Sequence, residues 1–253
     1  MNILLTPRAI EYPESDGLPM ADNTRQLDWM TLLYDNLRCH FRERTNDVFV
    51  GANQFWYPVE GEPGIRTAPD VYVVFGRPHH HRSSYRQWLE NDVPMQFVIE
   101  IASPSNNYPE MIDKQYFYED YGVEEYIIYD PESQFFQAHL RRGSMLRPVR
   151  PQLDVYVSER LGGVRFDRSG DDLVVTYPDG QPFRTATEAN ALRNQAEEQR
   201  QQTEVRIQQA EERERLTAAR ANRLAELSGR LLDGVATADE IAELQRLRQP
   251  PSQ

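Results

Sequence analysis

The stretch from residue 97 to residue 132 constrains the fold most, because it reads as strand, helix and strand with charged groups where a buried unit should have none. Its first strand is the apolar run 97–102, which suits burial on both faces of a sheet. Glu100 interrupts this run, and a buried carboxylate is costly unless it meets a cation or a metal ion. The pattern therefore predicts an α/β fold with a partner for Glu100.

Lys114 lies in the helix that follows and is the only lysine among 28 basic residues. An ammonium group is compact, and a planar guanidinium does not replace it, so position 114 is expected to need a lysine. The alternative is chance, since a single lysine has to fall somewhere. Glu110 and Tyr118 lie four residues to either side and would fix the direction of the lysine, although an ordinary surface Glu–Lys pair is the plainer explanation of that spacing.

The segment 67–75 upstream contains a second apolar strand, and Asp70 lies at the start of its apolar run. If the two strands are neighbours, two carboxylates lie at their ends, and Lys114 follows on the next helix. Such a group could hold a hard divalent ion and activate a water molecule.

These residues resemble a known signature. Pro69-Asp70, Glu100-Ile101-Ala102 and Lys114 look like the PD-(D/E)xK nuclease signature, in the variant whose lysine has moved from the strand to the following helix. A longer series resembles the bacterial Uma-two family of restriction-endonuclease-like proteins, over roughly residues 10 to 185. The residues that carry this resemblance are Glu100, Ser103-Pro104, Lys114, Tyr118, Gly122-Val123, Glu125-Tyr126 and Asp130-Pro131.

The resemblance implies a restriction-endonuclease-like core with a mixed α+β sheet, which hydrolyses phosphodiester bonds in DNA. Asp70 and Glu100, with the backbone carbonyl of Ile101, would bind one Mg²⁺ or Mn²⁺ ion. Lys114 would orient the attacking water or neutralise charge in the transition state. Ala102 occupies the position where the commonest motif carries its lysine, so the site depends on Lys114 reaching back.

The family also tends to carry an acidic residue near an N-terminal Asp-Gly. Glu11, Glu14 and Asp16 all meet that description here, and the choice among them stays open. Glu14 or Asp16 would support the site or bind a second metal ion.

The charge of the chain limits how it would bind DNA. Its net charge is −12, and residues 1–184 alone hold 28 acidic and 18 basic residues. A protein that grips many phosphates usually carries a basic face, so any contact with DNA must be local. The best candidates, which would equally serve to balance nearby acids on a solvated surface, are Arg141, Arg142, Arg147 and Arg150, joined by Arg160, Arg165 and Arg168.

The composition changes at residue 185, which divides the chain into a nuclease-like domain, 1–184, and a charged helical tail, 185–253. No Gly or Pro occurs from 185 until Gly229, which predicts a helix of about forty residues starting near Thr187. Only the ends of its heptads are apolar, so weak self-association or a solvated helix is favoured over a tight coiled coil. A capping box, Thr237 to Glu240, opens a short helix that would fold back on Leu231 and Leu232 or bind an unknown partner.

Several local patterns complete the expected structure. Helix 27–41 follows a cap at Asn23 or Thr24, a strand over 47–59 is kinked at Gly51, and strands between residues 135 and 176 complete the mixed sheet. The helix after Glu100 is expected to be capped by Asn106 or Asn107 and to end at Gly122. Cys39 is interpreted as a small core residue.

Other features bear on function and location. The apolar run 1–5 is too short for a signal peptide and nothing is long enough to span a bilayer, so a cytoplasmic protein without a membrane role is expected. Three consecutive histidines, 79–81, lack the spacing of a zinc site and are interpreted as a loop beside the active site. A homodimer would supply the two sites needed to cut both strands of a duplex.

Two other function classes stay open. The first is a catalytically inactive nuclease-fold module that binds or scaffolds through its helical tail. The second is a phosphodiesterase that acts on RNA or small molecules. A serine hydrolase is disfavoured because the chain has no Gly-x-Ser-x-Gly motif.

Overall fold

A six-stranded sheet organises the first of the two units, Met1–Thr185 and Ala186–Gln253, into which the chain divides. The computed structural model describes residues 10–15, 17, 21–103, 108–150 and 154–249, without the side chains of residues 108 and 109. The helices are α1 Thr24–His40, α2 Tyr108–Asp120, α3 Ala186–Leu232 and α4 Ala238–Arg248. The strands are β1 Val48–Ala52, β2 Trp56–Tyr57, β3 Val71–Phe75, β4 Tyr85–Arg86, β5 Phe97–Ile101, β6 Glu125–Asp130, β7 Phe135–Arg142, β8 Met145–Val149, β9 Val155–Ser158, β10 Val164–Asp167 and β11 Val174–Thr176.

The strand order in the main sheet is β1-β3-β5-β6-β7-β8. β5 and β6 are parallel and are joined by α2, whereas every other neighbouring pair in this sheet is antiparallel. A parallel pair needs a long crossover, and the α2 segment supplies it. The predicted mixed α/β fold with a mixed sheet and a long C-terminal helix is confirmed.

α1 covers one face of the sheet. Its first turn is capped by Asn23, whose side chain accepts a hydrogen bond from the Gln26 backbone N–H at 2.9 Å. Met30, Leu33 and Leu37 recur at three- and four-residue spacing and are all buried, as expected for an amphipathic helix. They share one core with Val71, Val73, Ile99 and Ile101 of the sheet.

α2 covers the opposite face, where Tyr118 and Val123 pack with Tyr72, Val98 and Tyr126. Every residue of β5 is buried, so this strand is enclosed on both sides. The turn after α2 contains Gly122 at φ +95°, the left-handed conformation predicted for the helix stop. The expected caps at Asn106 and Asn107 lie outside the described residues.

Three local predictions are wrong. β9, β10 and β11 do not extend the main sheet but form a separate three-stranded sheet, whose Tyr156, Phe166 and Val175 enter the α1 core. β1 runs without a kink through Gly51, because this glycine makes room for the Tyr72 ring, with which a Cβ would collide. Cys39 is exposed, since it lies off the buried stripe of α1.

The second unit is a pair of helices. α3 contains 47 residues and is therefore about 70 Å long, and α4 packs against its C-terminal part. The capping box predicted at Thr237 and Glu240 is present. Arg223 forms an ion pair with Glu243 at 2.8 Å, and Leu227 and Leu244 are buried between the helices. Leu232, expected at this contact, is 87% exposed.

None of the helices in the described part of the chain is both long enough and apolar enough to cross a membrane.

Candidate active site

The sheet places Asp70 and Glu100 on neighbouring strands. β3 and β5 pair with Val71 opposite Ile99 and Tyr72 opposite Val98. The same register, continued by one residue, sets Asp70 opposite Glu100. Both residues share the α2 face of the sheet, because side chains alternate along a strand. Asp70 is 7% exposed and Glu100 is 2% exposed, so two carboxyl groups are buried together.

Glu100 receives two hydrogen bonds from α2. Lys114 Nζ donates to Glu100 Oε2 at 2.8 Å, and the Tyr118 hydroxyl donates to Glu100 Oε1. The donors lie four residues apart, so one face of the helix presents both. α2 therefore neutralises the buried charge and fixes the orientation of the carboxylate.

Asp70 is held by the neighbouring strand. Its Oδ2 accepts a hydrogen bond from the Ile101 backbone N–H at 2.7 Å. Burial, followed by repulsion from Glu100, raises the pKa of Asp70 to about 8. Lys114 and the Ile101 N–H oppose this rise without cancelling it. A positive charge placed between the two carboxyl groups would thus stabilise the ionised form of Asp70.

Lys114 stays protonated despite its burial. Desolvation by itself lowers the pKa of this amine, but the carboxylates of Glu100 and Asp70 outweigh desolvation and raise the pKa above its ordinary value. Glu110, which is exposed, adds a smaller contribution in the same direction. Burial and the Glu100 charge also raise the pKa of Tyr118, so its hydroxyl remains a hydrogen-bond donor. The site therefore presents a fixed positive charge.

Gln26 also contacts this group, although it belongs to none of the motifs named above. Its side-chain amide donates to the Ile101 carbonyl oxygen at 2.9 Å, and a hydrogen bond from Gln26 also lowers the pKa of Asp70. The sequence contains a signal for this role, since Gln26 precedes Met30 by four residues and so occupies the buried stripe of α1. A polar residue on that stripe needs a polar partner in the core.

The N-terminal acids are placed differently. Glu14 is exposed and accepts a hydrogen bond from Ser83 at 2.5 Å. Glu11 is also exposed, and Asp16 lies outside the described residues. No hydrogen bond from the described arm, residues 10–15 and 17, to Asp70, Glu100 or Lys114 is found. The structure therefore gathers Asp70, Glu100, Lys114 and Tyr118, and leaves Glu14 apart from them.

The histidine segment is anchored next to β1. The His79 backbone N–H donates to the Thr45 carbonyl at 2.6 Å. Arg82, which follows, forms a bidentate ion pair with Glu90 at 2.6 and 3.0 Å. Both of these side chains are buried, so the segment from 79 to 82 is held at its C-terminal end.

Some of the arginines proposed to contact DNA instead stabilise the fold. The Arg141 guanidinium donates to the carbonyl oxygens of Val123, Tyr118 and Glu119, at 2.7 to 3.2 Å. Arg141 thus closes the end of α2 and has few donors left for a phosphate. Arg160 and Arg168 form ion pairs. Within the described ranges, no ion pair is found for the other four candidates, which are Arg142, Arg147, Arg150 and Arg165.

The chemistry of the donors suits a hard cation. Mg²⁺ prefers carboxylate and carbonyl oxygens, and proteins commonly hold it through one or two carboxylates completed by water and phosphate. Asp70 and Glu100 supply two carboxylates, and the Ile101 carbonyl lies beside them. No group of three or more His, Cys, Asp and Glu side chains suited to a metal ion occurs among the residues that the structure describes. A metal ion here would therefore complete its coordination largely from water and substrate.

One of the comparisons with known proteins identifies a family. No curated protein matches the chain. Among solved structures, a crystal structure of "a putative nuclease belonging to DUF820" from Anabaena variabilis is similar at 10% sequence identity and a TM-score of 0.38, covering 54% of this chain and 72% of that chain. The sequence model of the Uma2 family, described as "Putative restriction endonuclease", matches residues 10–169. This match spans more than half of the chain and supports a nuclease-type function, so the chain belongs to the Uma2 family.

Proposed function

We propose that residues 1–184 form a metal-dependent endonuclease domain that hydrolyses phosphodiester bonds in DNA, and that residues 185–253 form a separate helical extension. The observation that carries this proposal is the convergence of Lys114 and Glu100 beside Asp70. A surface Glu–Lys pair would be solvated, whereas Glu100 is buried and its Lys114 partner is only 21% exposed at the side chain. Burying an ion pair costs desolvation free energy, and such buried charged groups cluster at functional sites.

The carboxyl groups of Asp70 and Glu100 would hold one Mg²⁺ or Mn²⁺ ion, with the Ile101 carbonyl as a further donor. When bound, such an ion lowers the pKa of water and screens the phosphate charge. Lys114 would direct its ammonium toward the scissile phosphate and stabilise the negative charge that develops there. Tyr118 would hold the Glu100 carboxylate in place while Lys114 shifts toward the substrate.

The acidic charge of the chain shapes how the substrate would bind. Because Arg141 is committed to backbone carbonyls, phosphate contacts would come from exposed arginines such as Arg142 and Arg147. A small number of phosphate contacts predicts weak binding that a modest rise in salt would reduce only slightly. DNA is proposed over RNA or a small phosphodiester because the family is described as restriction endonucleases.

The direct test is cleavage of supercoiled plasmid and of single-stranded DNA at low salt, with Mg²⁺ or Mn²⁺ and with EDTA. Glu100→Gln removes the charge of the metal-binding carboxylate with little change in shape. Asp113→Asn, on the exposed side of α2 next to Lys114, is the matched control. We expect cleavage by the parent and by Asp113→Asn, and a loss of at least about 100-fold in Glu100→Gln.

The products separate the remaining alternatives. Nicked plasmid alone indicates single active sites, and direct conversion to linear plasmid indicates the proposed homodimer, in which two sites act on one duplex. Cleavage of RNA but not DNA would reassign the substrate. If the folded parent cuts none of these substrates with either ion, the proposal fails, and a binding module that acts through residues 185–253 takes its place.

A further inference from the structure

A cleft of about 580 Å³ opens on the α2 face of the main sheet. α2 contributes Met111, Ile112 and Gln115 to its walls, and the sheet contributes Ile128, Phe135 and His139. Its volume lies within the range of about 300–1,000 Å³ that is common for small-molecule sites. The cleft is therefore large enough for one nucleotide unit.

The cleft adjoins the candidate active site. Ile128 of β6 pairs directly with Glu100 of β5, and neighbouring strands lie about 4.8 Å apart. On the helix, Gln115 follows Lys114 immediately. A group that fills the cleft would thus lie one strand away from Glu100, on the same face of the sheet as both carboxylates.

The walls of the cleft are largely apolar. Phe135 is 51% exposed, so part of its ring is free to stack against a ligand. No arginine or lysine is found among the described residues that line the cleft. Asp130, its acidic residue, is committed to the Ser133 hydroxyl at 2.6 Å and to the Glu132 backbone N–H at 2.9 Å. These lining residues offer a phosphate no cation, whereas an uncharged aromatic ring would be well accommodated.

Hydrogen-bonding groups are present at the back of the cleft. The His139 ring stacks on Tyr126 with centroids 5.5 Å apart, and its Nδ1, which is buried, has no hydrogen-bond partner in the part of the chain that the structure describes. Burial lowers the pKa of His139, so its imidazole is neutral at neutral pH. Gln115 and Gln137 add amide groups to the walls. Apolar walls with a few polar groups match the faces and edge of a nucleobase.

We propose that this cleft binds one nucleobase of the nucleic acid, from a single strand or extruded from a duplex, with Phe135 as the stacking surface. The position of the scissile phosphate beside that base rests on the proposed nuclease function, but binding of the base does not. A cleft of this kind would make the enzyme prefer unpaired nucleotides near the cut, because a base inside a duplex stack cannot reach it.

The test uses the full chain and a short end-labelled single-stranded oligonucleotide, either intact or with one abasic site moved along its length. Binding is measured by fluorescence anisotropy in EDTA, so it does not depend on cleavage. Phe135→Ala removes the stacking surface, and Gln115→Ala removes one polar wall. Tyr116→Ala is the matched control, because Tyr116 is 60% exposed on α2 and does not line the cleft.

We expect Phe135→Ala to weaken binding of the intact strand by about 5- to 100-fold, which corresponds to one lost base stack. For the parent, one abasic position should weaken binding by a similar factor, and Phe135→Ala should add little at that position. Tyr116→Ala should bind like the parent. If the parent shows no position-dependent abasic effect, or if Phe135→Ala and Gln115→Ala both behave like Tyr116→Ala, the cleft does not bind a base.

The same oligonucleotides with Mg²⁺ or Mn²⁺ separate the two proposals. Base-dependent binding without cleavage supports the cleft and counts against the nuclease. Cleavage that ignores both the abasic site and Phe135→Ala supports the nuclease and overturns the cleft. A parent that binds no strand at all in EDTA also overturns the cleft.

Discussion

Lys114 Nζ lies 2.8 Å from Glu100 Oε2, although the two residues are 14 positions apart in the chain. The strand supplies the carboxylate and the helix after it supplies the ammonium, so the pair exists only when α2 is packed on the sheet. This relationship joins the stability of the domain to its proposed chemistry.

Lys114→Arg keeps the positive charge but replaces a compact ammonium with a planar guanidinium. We expect the variant to fold, because Glu100 keeps a cationic partner, and to lose about 100- to 1,000-fold in kcat, since the new group is wrongly shaped for the transition-state charge. Single-turnover cleavage measures the loss in rate, and circular dichroism checks that the variant folds. Cleavage by Lys114→Arg within a few-fold of the parent would falsify the specific need for lysine.

Tyr118→Phe removes one of the two donors to Glu100. Because the carboxylate oxygen is buried and left unpaired, the free energy of unfolding should fall by about 1–3 kcal/mol. Tyr126→Phe is a matched control: it is equally buried, but its hydroxyl has no hydrogen-bond partner among the described residues. Urea denaturation of both variants is the measurement. Equal destabilisation by the two changes would contradict the role assigned to the Tyr118 hydroxyl.

Asp70→Asn should make the chain more stable at alkaline pH in the absence of metal ions. The pKa of Asp70 is about 8 when folded, above its value of about 4 when unfolded. The folded chain therefore binds this proton more tightly, and the contribution of Asp70 to stability falls as the pH rises from about 4 through about 8.

The measurement is the difference in thermal stability between Asp70→Asn and the parent at several pH values in EDTA. Burial also raises the pKa of Glu125 to about 7, so the stability of the parent depends on pH for a second reason. Glu125 is present in both proteins, and its effect cancels in the difference between them. We expect the variant to gain about 4 kcal/mol relative to the parent between pH 5 and 9. Mg²⁺ should stabilise the parent and not the variant. A difference that is flat with pH would show that Asp70 ionises normally.

Glu90→Gln tests the anchor of the histidine segment. Glu90 pairs with the buried Arg82 and also with Arg77 at 2.8 Å, so removing its charge leaves both guanidinium groups without a carboxylate and should cost about 3–5 kcal/mol. Glu132→Gln is the control, because its ion pair with Arg25 is half exposed and should be worth less than about 1 kcal/mol. Chemical denaturation compares the two. Similar losses in both variants would mean that the ion pairs of Glu90 are not the anchor.

The sequence predicted those parts of the fold that depend on local pattern. The apolar period of α1, the Gly122 stop and the Thr237 capping box each follow from neighbouring residues, and each is present. The convergence of Glu100 and Lys114 was anticipated because both lie within one strand–helix–strand unit. Asp70 was predicted because it opens an apolar strand, and the resemblance to a known family supported its role in the site.

The wrong predictions concern features that depend on contacts between segments far apart in the chain. Whether β9, β10 and β11 join the main sheet depends on packing against α1, which no local pattern encodes. The contact between Gln26 and the Ile101 carbonyl joins residues 75 positions apart, so its partner could not be read from spacing. Gly51 was interpreted as a kink because its true neighbour, the Tyr72 ring, lies on the next strand of the sheet.

The single parallel pair in the main sheet has a consequence for the order of assembly. β6, β7 and β8 are sequential antiparallel strands and can form from short loops, whereas β5 meets β6 only after α2 has folded across the sheet. Closing that crossover costs more chain entropy than closing a hairpin. We therefore expect the amides of β7 and β8 to become protected from hydrogen exchange before that of Ile101, so that a partly folded chain carries a sheet but no assembled active site.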